Sequence, residues 1–210
     1  MEKNQLQTYR VLLEGGEGEI IEKKSRFIAY ICPVEDEEQA NAFIDSIKKK
    51  HYDARHNCSA YIVGTAGELT KCSDDGEPAH TAGRPMLEIL KKAELNNVCV
   101  VVTRYFGGIL LGTGGLVRAY SDAVKAVLEE CDIYELRPYL GLHIATDYSS
   151  YGKIEHMAGS KGFIIKNIVY TDGVELDLFI PPEEENECVG SLTNITGGKC
   201  IITSGDIINM

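Results

Sequence analysis

Apolar and polar residues along this chain follow two rhythms, and the switches between them outline its elements. Residues 9 to 13 and 18 to 32 carry extended, strand-like patterns around the glycine-rich turn Gly15-Gly16-Glu17-Gly18. From 35 to 50 the spacing becomes helical: Ala40, Phe43, Ile44 and Ile47 form one stripe, with acidic residues 35 to 38 at the start and Lys48 to Lys50 at the end, the order the helix dipole favours. A strand at 58 to 63, a polar loop at 70 to 83 and a helix over 85 to 95 follow, with Pro85 in a first turn, where its missing N–H is tolerated. Asn97 to Thr103 contains Val98-Cys99-Val100-Val101-Val102, apolar at every position, so this strand is predicted to be central and covered on both faces. From Thr113 or Gly114 to about Cys131, Leu116, Val117, Tyr120, Val124, Val127 and Leu128 recur at helical spacing.

The pattern changes character around Tyr134 to Pro138, which divides the chain into expected domains 1–135 and 136–210. The second part reads as a strand at 140 to 146, a helix at 148 to 159, strands at 163 to 170 and 173 to 180 joined by Thr171-Asp172-Gly173, a helix from Pro182 to about Thr193, and a strand at 199 to 203. That order, βαββαβ, is the ferredoxin-like arrangement. The fold class is therefore α+β with two domains.

Charge narrows the choice of partner. The 210 residues carry a net charge of −11, which excludes a protein that coats nucleic acid by bulk electrostatics; any phosphate site must be local. Residues 1 to 137 hold 17 Lys and Arg against 22 Asp and Glu, whereas 138 to 210 hold 4 against 10, so the cations are concentrated in the first part. Seven widely spaced cysteines form neither a CxxC pair nor a disulfide framework and read as reduced thiols. No apolar run is long enough for a membrane span, and a cytoplasmic protein without a membrane partner is expected.

Two segments carry candidate chemistry. The stretch RYFGGILLGTGGLVRAY, residues 104 to 120, sets Gly107, Gly108, Gly112, Gly114 and Gly115 between Arg104 and Arg118 and feeds directly into a helix. Glycines there permit positive φ and close approach of another molecule, and a helix N-terminus offers unpaired amides to phosphate or carboxylate. The spacing is neither a P-loop nor a dinucleotide fingerprint, and a tight turn packed on its own sheet explains it equally. The loop at 71 to 87 gathers Asp74, Asp75, Glu77, His80, Thr81 and Arg84. These residues suit Mg²⁺ binding, acid–base work with His80, or simply a turn whose side chains pair with backbone amides. His56 and Cys58 share one face of a strand, but no third group is evident to orient them as a nucleophile pair. Lys23, Lys24, Arg26, Lys48, Lys49, Lys50, Arg104 and Arg118 would form a basic patch if folding gathered them, and Tyr105 and Phe106 could stack on a base.

Taken together, KKSRFIAY at 23 to 30, the segment 56 to 58, DDGEP at 74 to 78, TAGRPML at 81 to 87 and the glycine segment at 104 to 120 resemble the IMPACT family, in particular its bacterial YigZ-like branch. The resemblance implies an N-terminal domain like a small-subunit ribosomal protein fold, as in domain IV of elongation factor G, and a ferredoxin-like C-terminal domain similar to that factor's domain V. It also implies a link to translation. Where the family commonly has a glycine before Thr-Ala-Gly, this chain has His80, which would alter a ligand that needs close backbone approach there, or add a pH-sensitive donor.

The expected function is a non-enzymatic, translation-associated regulator that needs no cofactor or metal. It would bind RNA or a ribosomal surface through Arg84, Arg104, Arg118 and the amides of 112 to 115, with Asp74, Asp75, Glu77, His80 and Thr81 in support. Rival readings are a Mg²⁺-dependent enzyme acting on a phosphorylated or nucleotide-like small molecule, and a protein-interaction module, for instance one that holds a translation factor. The sequence sets no oligomeric state.

Overall fold

The computed structural model describes residues 7–210, so the first six residues of the expected N-terminal domain lie outside the described residues. The chain forms two compact units, Tyr9–Leu136 and Arg137–Met210, with residues 7 and 8 grouped with the second. The fold is α+β in both.

The first unit runs β1 (Tyr9–Leu12), β2 (Gly16–Glu22), β3 (Ser25–Pro33), α1 (Glu37–Lys50), β4 (His56–Val63), β5 (Leu69–Ser73), α2 (Gly83–Lys92), β6 (Val98–Tyr105), α3 (Gly112–Glu129) and β7 (Ile133–Leu136). Its main sheet has the order β2-β3-β6-β4-β5 and is antiparallel throughout. The uniformly apolar β6 is central, as its pattern requires. Val98, Val100 and Val102 join Phe27, Ala29 and Ile31 in a core under α2 and α3, while Cys99 and Val101 join Ile28, Tyr30 and Tyr61 in a core under α1. Arg104 follows Val102 on the same face by the two-residue period of a strand, so its side chain enters the α2/α3 side rather than solvent.

Three expectations about this unit need correction. The apolar run from 18 to 32 is two strands: Lys23 and Lys24, at φ of 46° and 66°, form a two-residue hairpin turn between Glu22 and Ser25. Neither lysine is a turn residue by composition, which is why the pattern reads through. The loop at 70 to 83 opens with β5, an edge strand whose largely exposed face shows no apolar alternation. Ile133–Leu136, to which the pattern assigns no element, form β7, which pairs with β1 as a separate two-stranded sheet.

The second unit runs β8 (Pro138–Thr146), α4 (Tyr148–Lys161), β9 (Ile164–Tyr170), β10 (Val174–Ile180), α5 (Glu185–Thr196) and β11 (Ile201–Asn209), with sheet order β11-β8-β10-β9. This is the ferredoxin-like topology. Leu142, Ile144, Leu176, Leu178 and Ile180 pack against Ile154 and Leu192 of the helices. Asp147 caps α4, accepting from the Ser150 amide at 2.7 Å, and Gly162 and Gly197, at φ of 72° and 62°, end α4 and α5. β11 runs past the expected end at 203, because an irregularity between Ser204 and Ile207 breaks its apolar pattern but not its pairing with β8.

α3 lies directly on β2: a Cβ placed on Gly18 would sit 2.8 Å from the Val127 amide nitrogen and 2.9 Å from its Cα. Gly18→Ala is therefore expected to lower unfolding free energy by about 1–3 kcal/mol in a denaturant titration, through overpacking against backbone that cannot yield.

Candidate functional site

The loop between β5 and α2 is built on its own carboxylates. Asp74 accepts hydrogen bonds from the amides of His80 at 2.7 Å, Ala82 at 3.0 Å and Gly83 at 2.8 Å, and so closes the loop and caps α2, whose own N-cap residue, Ala82, has no side-chain acceptor. Partial burial pushes the Asp74 pKa up, but these three N–H groups outweigh it and hold the group below its ordinary value of 3.8. Asp75, at φ 41°, accepts from the Asn57 amide at 2.7 Å and pairs with Lys48 at 3.1 Å, and its carbonyl accepts from His56 Nδ1 at 2.9 Å. Thr81 donates to the Pro78 carbonyl at 2.7 Å. His80 is exposed at φ 63°. A glycine there is thus explained by backbone conformation, with no ligand needed.

Glu77 turns inward. Its carboxylate accepts from Arg104 Nη1 at 2.6 Å and from the Tyr120 hydroxyl at 2.8 Å, with the Arg104 and Glu77 side chains 8% and 3% exposed. The Cys58 thiol donates to the Asp74 carbonyl at 3.0 Å and lies 3.3 Å from the Tyr120 hydroxyl. Burial pushes the pKa of both Cys58 and Tyr120 strongly up, which keeps them neutral and leaves Cys58 an inert core thiol rather than a nucleophile. Asp74, Asp75 and Glu77 are each committed to protein donors, and among the described residues no three or more His, Cys, Asp or Glu side chains converge on a metal position.

The glycines of the second segment have different reasons. A Cβ on Gly107 would overlap the carbonyl of Lys24, and the Gly107 amide donates to Ser25 Oγ at 3.1 Å, so this close approach is to the chain's own hairpin. Gly108 and Gly112 hold positive φ, 87° and 73°. A Cβ on Gly115 would lie 2.9 Å from that of Leu111. Gly114 has no positive φ, and a Cβ placed on it would meet nothing within 4 Å. It sits in the exposed first turn of α3, which no side chain caps and which holds no acidic residue. Arg118 is exposed and reaches back to the Gly114 carbonyl at 3.4 Å, and with Lys23 it lines a cleft beside Gly115.

The structure brings Arg104 to Glu77, not to Arg118: the two arginines line different clefts, and Arg84 is exposed on α2. Nor does folding gather the basic patch. Arg26 is held by Glu19 through two bonds of 2.9 Å, Lys48 by Asp75 and Lys50 by Glu17, because cross-strand and cross-element carboxylates lie nearer than the other cations. His51 sits between the Tyr30 and Tyr105 hydroxyls at 2.8 and 2.9 Å, its pKa lowered chiefly by burial. The Glu77–Arg104 pairing is absent from the expectations above; the phase of Arg104 with Val98, Val100 and Val102 is the signal that points to it.

The fold and this loop-to-core cluster define a class: a two-unit α+β chain with a ferredoxin-like second unit. Residues 23–128 match the Impact N-terminal domain and residues 144–199 match a domain of unknown function (DUF1949). The chain is 44% identical to the IMPACT family member YvyE of Bacillus subtilis, over 96% of this chain and 93% of that protein, and 37% identical to the IMPACT family member YigZ of Escherichia coli, over 84% and 88%. A solved structure, described as that of a hypothetical protein, is 33% identical, covers 95% of this chain and 98% of its own, and superposes with a TM-score of 0.60. The chain belongs to the IMPACT family. Among the described residues, no helix is long and apolar enough to cross a membrane.

The two inward- and amide-facing carboxylates differ in what their loss should cost. Glu77→Gln leaves the Arg104 charge buried without its counter-charge and should cost about 3 kcal/mol in denaturant unfolding. Asp74→Asn should cost about 1–2 kcal/mol at neutral pH. Because the folded-state pKa of Asp74 is depressed, its contribution is complete above 3.8 and is lost as pH falls further, so wild-type and Asp74→Asn melting temperatures should converge in acid.

Proposed function

We propose that this chain is a cytoplasmic, non-enzymatic regulator associated with translation, which docks on RNA or a ribosomal surface through the exposed first turn of α3. The observation that carries the reading is Gly114. Every other glycine of the segment is accounted for by backbone conformation or by contact with the chain itself, whereas a side chain at Gly114 would meet only open space, in a first helical turn that no side chain caps. Such a terminus suits a phosphate oxygen; Arg118 reaches the Gly114 carbonyl, and it lines the cleft beside Gly115 with Lys23, Glu22 and Asp122. Arg104 serves the site by anchoring the segment through Glu77, and its charge is largely engaged. Family resemblance supplies the link to translation. The net charge of −11 fits a small, local contact, with few phosphates neutralised and a shallow salt dependence.

Gly114→Asp separates folding from docking. An aspartate near a helix N-terminus should leave stability unchanged or raise it by about 0.5–1 kcal/mol, while placing a negative charge where the phosphate would lie. In ribosome co-sedimentation at two salt concentrations, wild type should pellet more at low salt and Gly114→Asp should stay in the supernatant with an undiminished melting temperature. Wild type that remains in the supernatant at low salt, or a variant that pellets equally, would overturn the proposal.

A further inference from the structure

At one end of the five-stranded sheet, a cleft of about 280 Å³ opens between the start of β4, the end of β6 and the segment after it. Asp53, Arg55, His56, Arg104, Phe106 and Leu110 line it. Arg104, more than nine-tenths buried, gives Nη1 to Glu77, while its Nε is buried with no hydrogen-bond partner. That is an unusual donor to leave unmatched. His56 donates from Nδ1 to the Asp75 carbonyl, which fixes the tautomer of the neutral ring and leaves Nε2 as an acceptor. Asp53 adds a carboxylate, held by the Tyr105 hydroxyl at 2.9 Å, and Arg55 adds an exposed guanidinium. Phe106 is 53% exposed, with the Arg104 guanidinium carbon 5.6 Å from its ring centre.

This mixture selects its ligand. A bare phosphate or carboxylate would meet the like charge of Asp53. A planar group with donors and acceptors along its edge meets every feature: a ring to stack on, arginine donors, and the acceptors of His56 and Asp53. The volume falls just below the range of about 300–1,000 Å³ typical of small-molecule pockets, which suits a single ring system. Single-stranded RNA presents such groups, with unstacked bases read by aromatic stacking and edge hydrogen bonds.

We infer that this cleft receives one unstacked base of a single-stranded RNA segment, its face on Phe106 and its edge toward Arg104, His56 and Asp53. Arg55 meets the adjoining phosphate. The inference rests on the RNA-docking role proposed above and specifies the form of RNA. The cleft ends at Leu110, two residues before α3 begins, so base and backbone contacts fall on successive parts of one segment.

The test is fluorescence anisotropy with a short mixed-sequence single-stranded RNA and with the same strand annealed to its complement, using the full chain. Wild type should favour the single strand, Phe106→Ala should weaken single-strand binding by roughly 5- to 150-fold, and Phe106→Tyr, which keeps the ring, should restore it. Thermal melts show whether Phe106→Ala stays folded, and Phe106→Tyr binding keeps the test decisive if it does not. Equal affinity for single strand and duplex, or loss of binding in folded Phe106→Tyr, overturns base capture and leaves ribosome docking standing. Absence of salt-sensitive binding to either RNA and to ribosomes overturns both readings.

Discussion

The buried pair Arg104–Glu77 is the constraint on which the arrangement of both candidate segments in the first unit depends. A guanidinium on the core side of a central strand is costly unless its charge is met, and here the carboxylate comes from a loop 27 residues away in sequence. Meeting it draws the β5–α2 loop over the end of β6. The Tyr120 hydroxyl on the same carboxylate adds α3 to the arrangement, and the Cys58 thiol adds β4. One cluster thus sets the positions of both candidate segments.

Once that cluster is in place, the polar residues of the loop separate by role. Asp74 directs its acceptors to amides and caps a helix, Asp75 holds the edge of β4, and Glu77 compensates a charge. A set of carboxylates that resembles a metal site in one dimension is a set of structural acceptors in three. The glycines divide in the same way, Gly107 serving chain-to-chain approach and Gly108 and Gly112 the left-handed backbone. What folding leaves unexplained in these two segments is Gly114, the exposed Phe106, Ile109 and Leu110, and the orphan Nε of Arg104.

The acidic balance agrees with such a narrow site. In the second unit, Glu175 and Asp177 lie on the sheet face opposite the core, where His143 faces Asp177 at 2.9 Å. This face is unsuited to a phosphate backbone, which agrees with placing the proposed docking on the first unit.

Periodicity by itself determined the two-unit organisation, the central place of β6, the ferredoxin-like order and most helices, because burial on one face or both imposes a repeat that survives in one dimension. It also placed Arg104 in phase with core valines. Tertiary structure alone decided which carboxylate would answer Arg104, that Lys23 and Lys24 form a turn, that β5 and β7 are strands, and that Arg26, Lys48 and Lys50 each meet a carboxylate. Each of these depends on a partner brought close by the fold, and a pairing between distant residues leaves no local repeat to read.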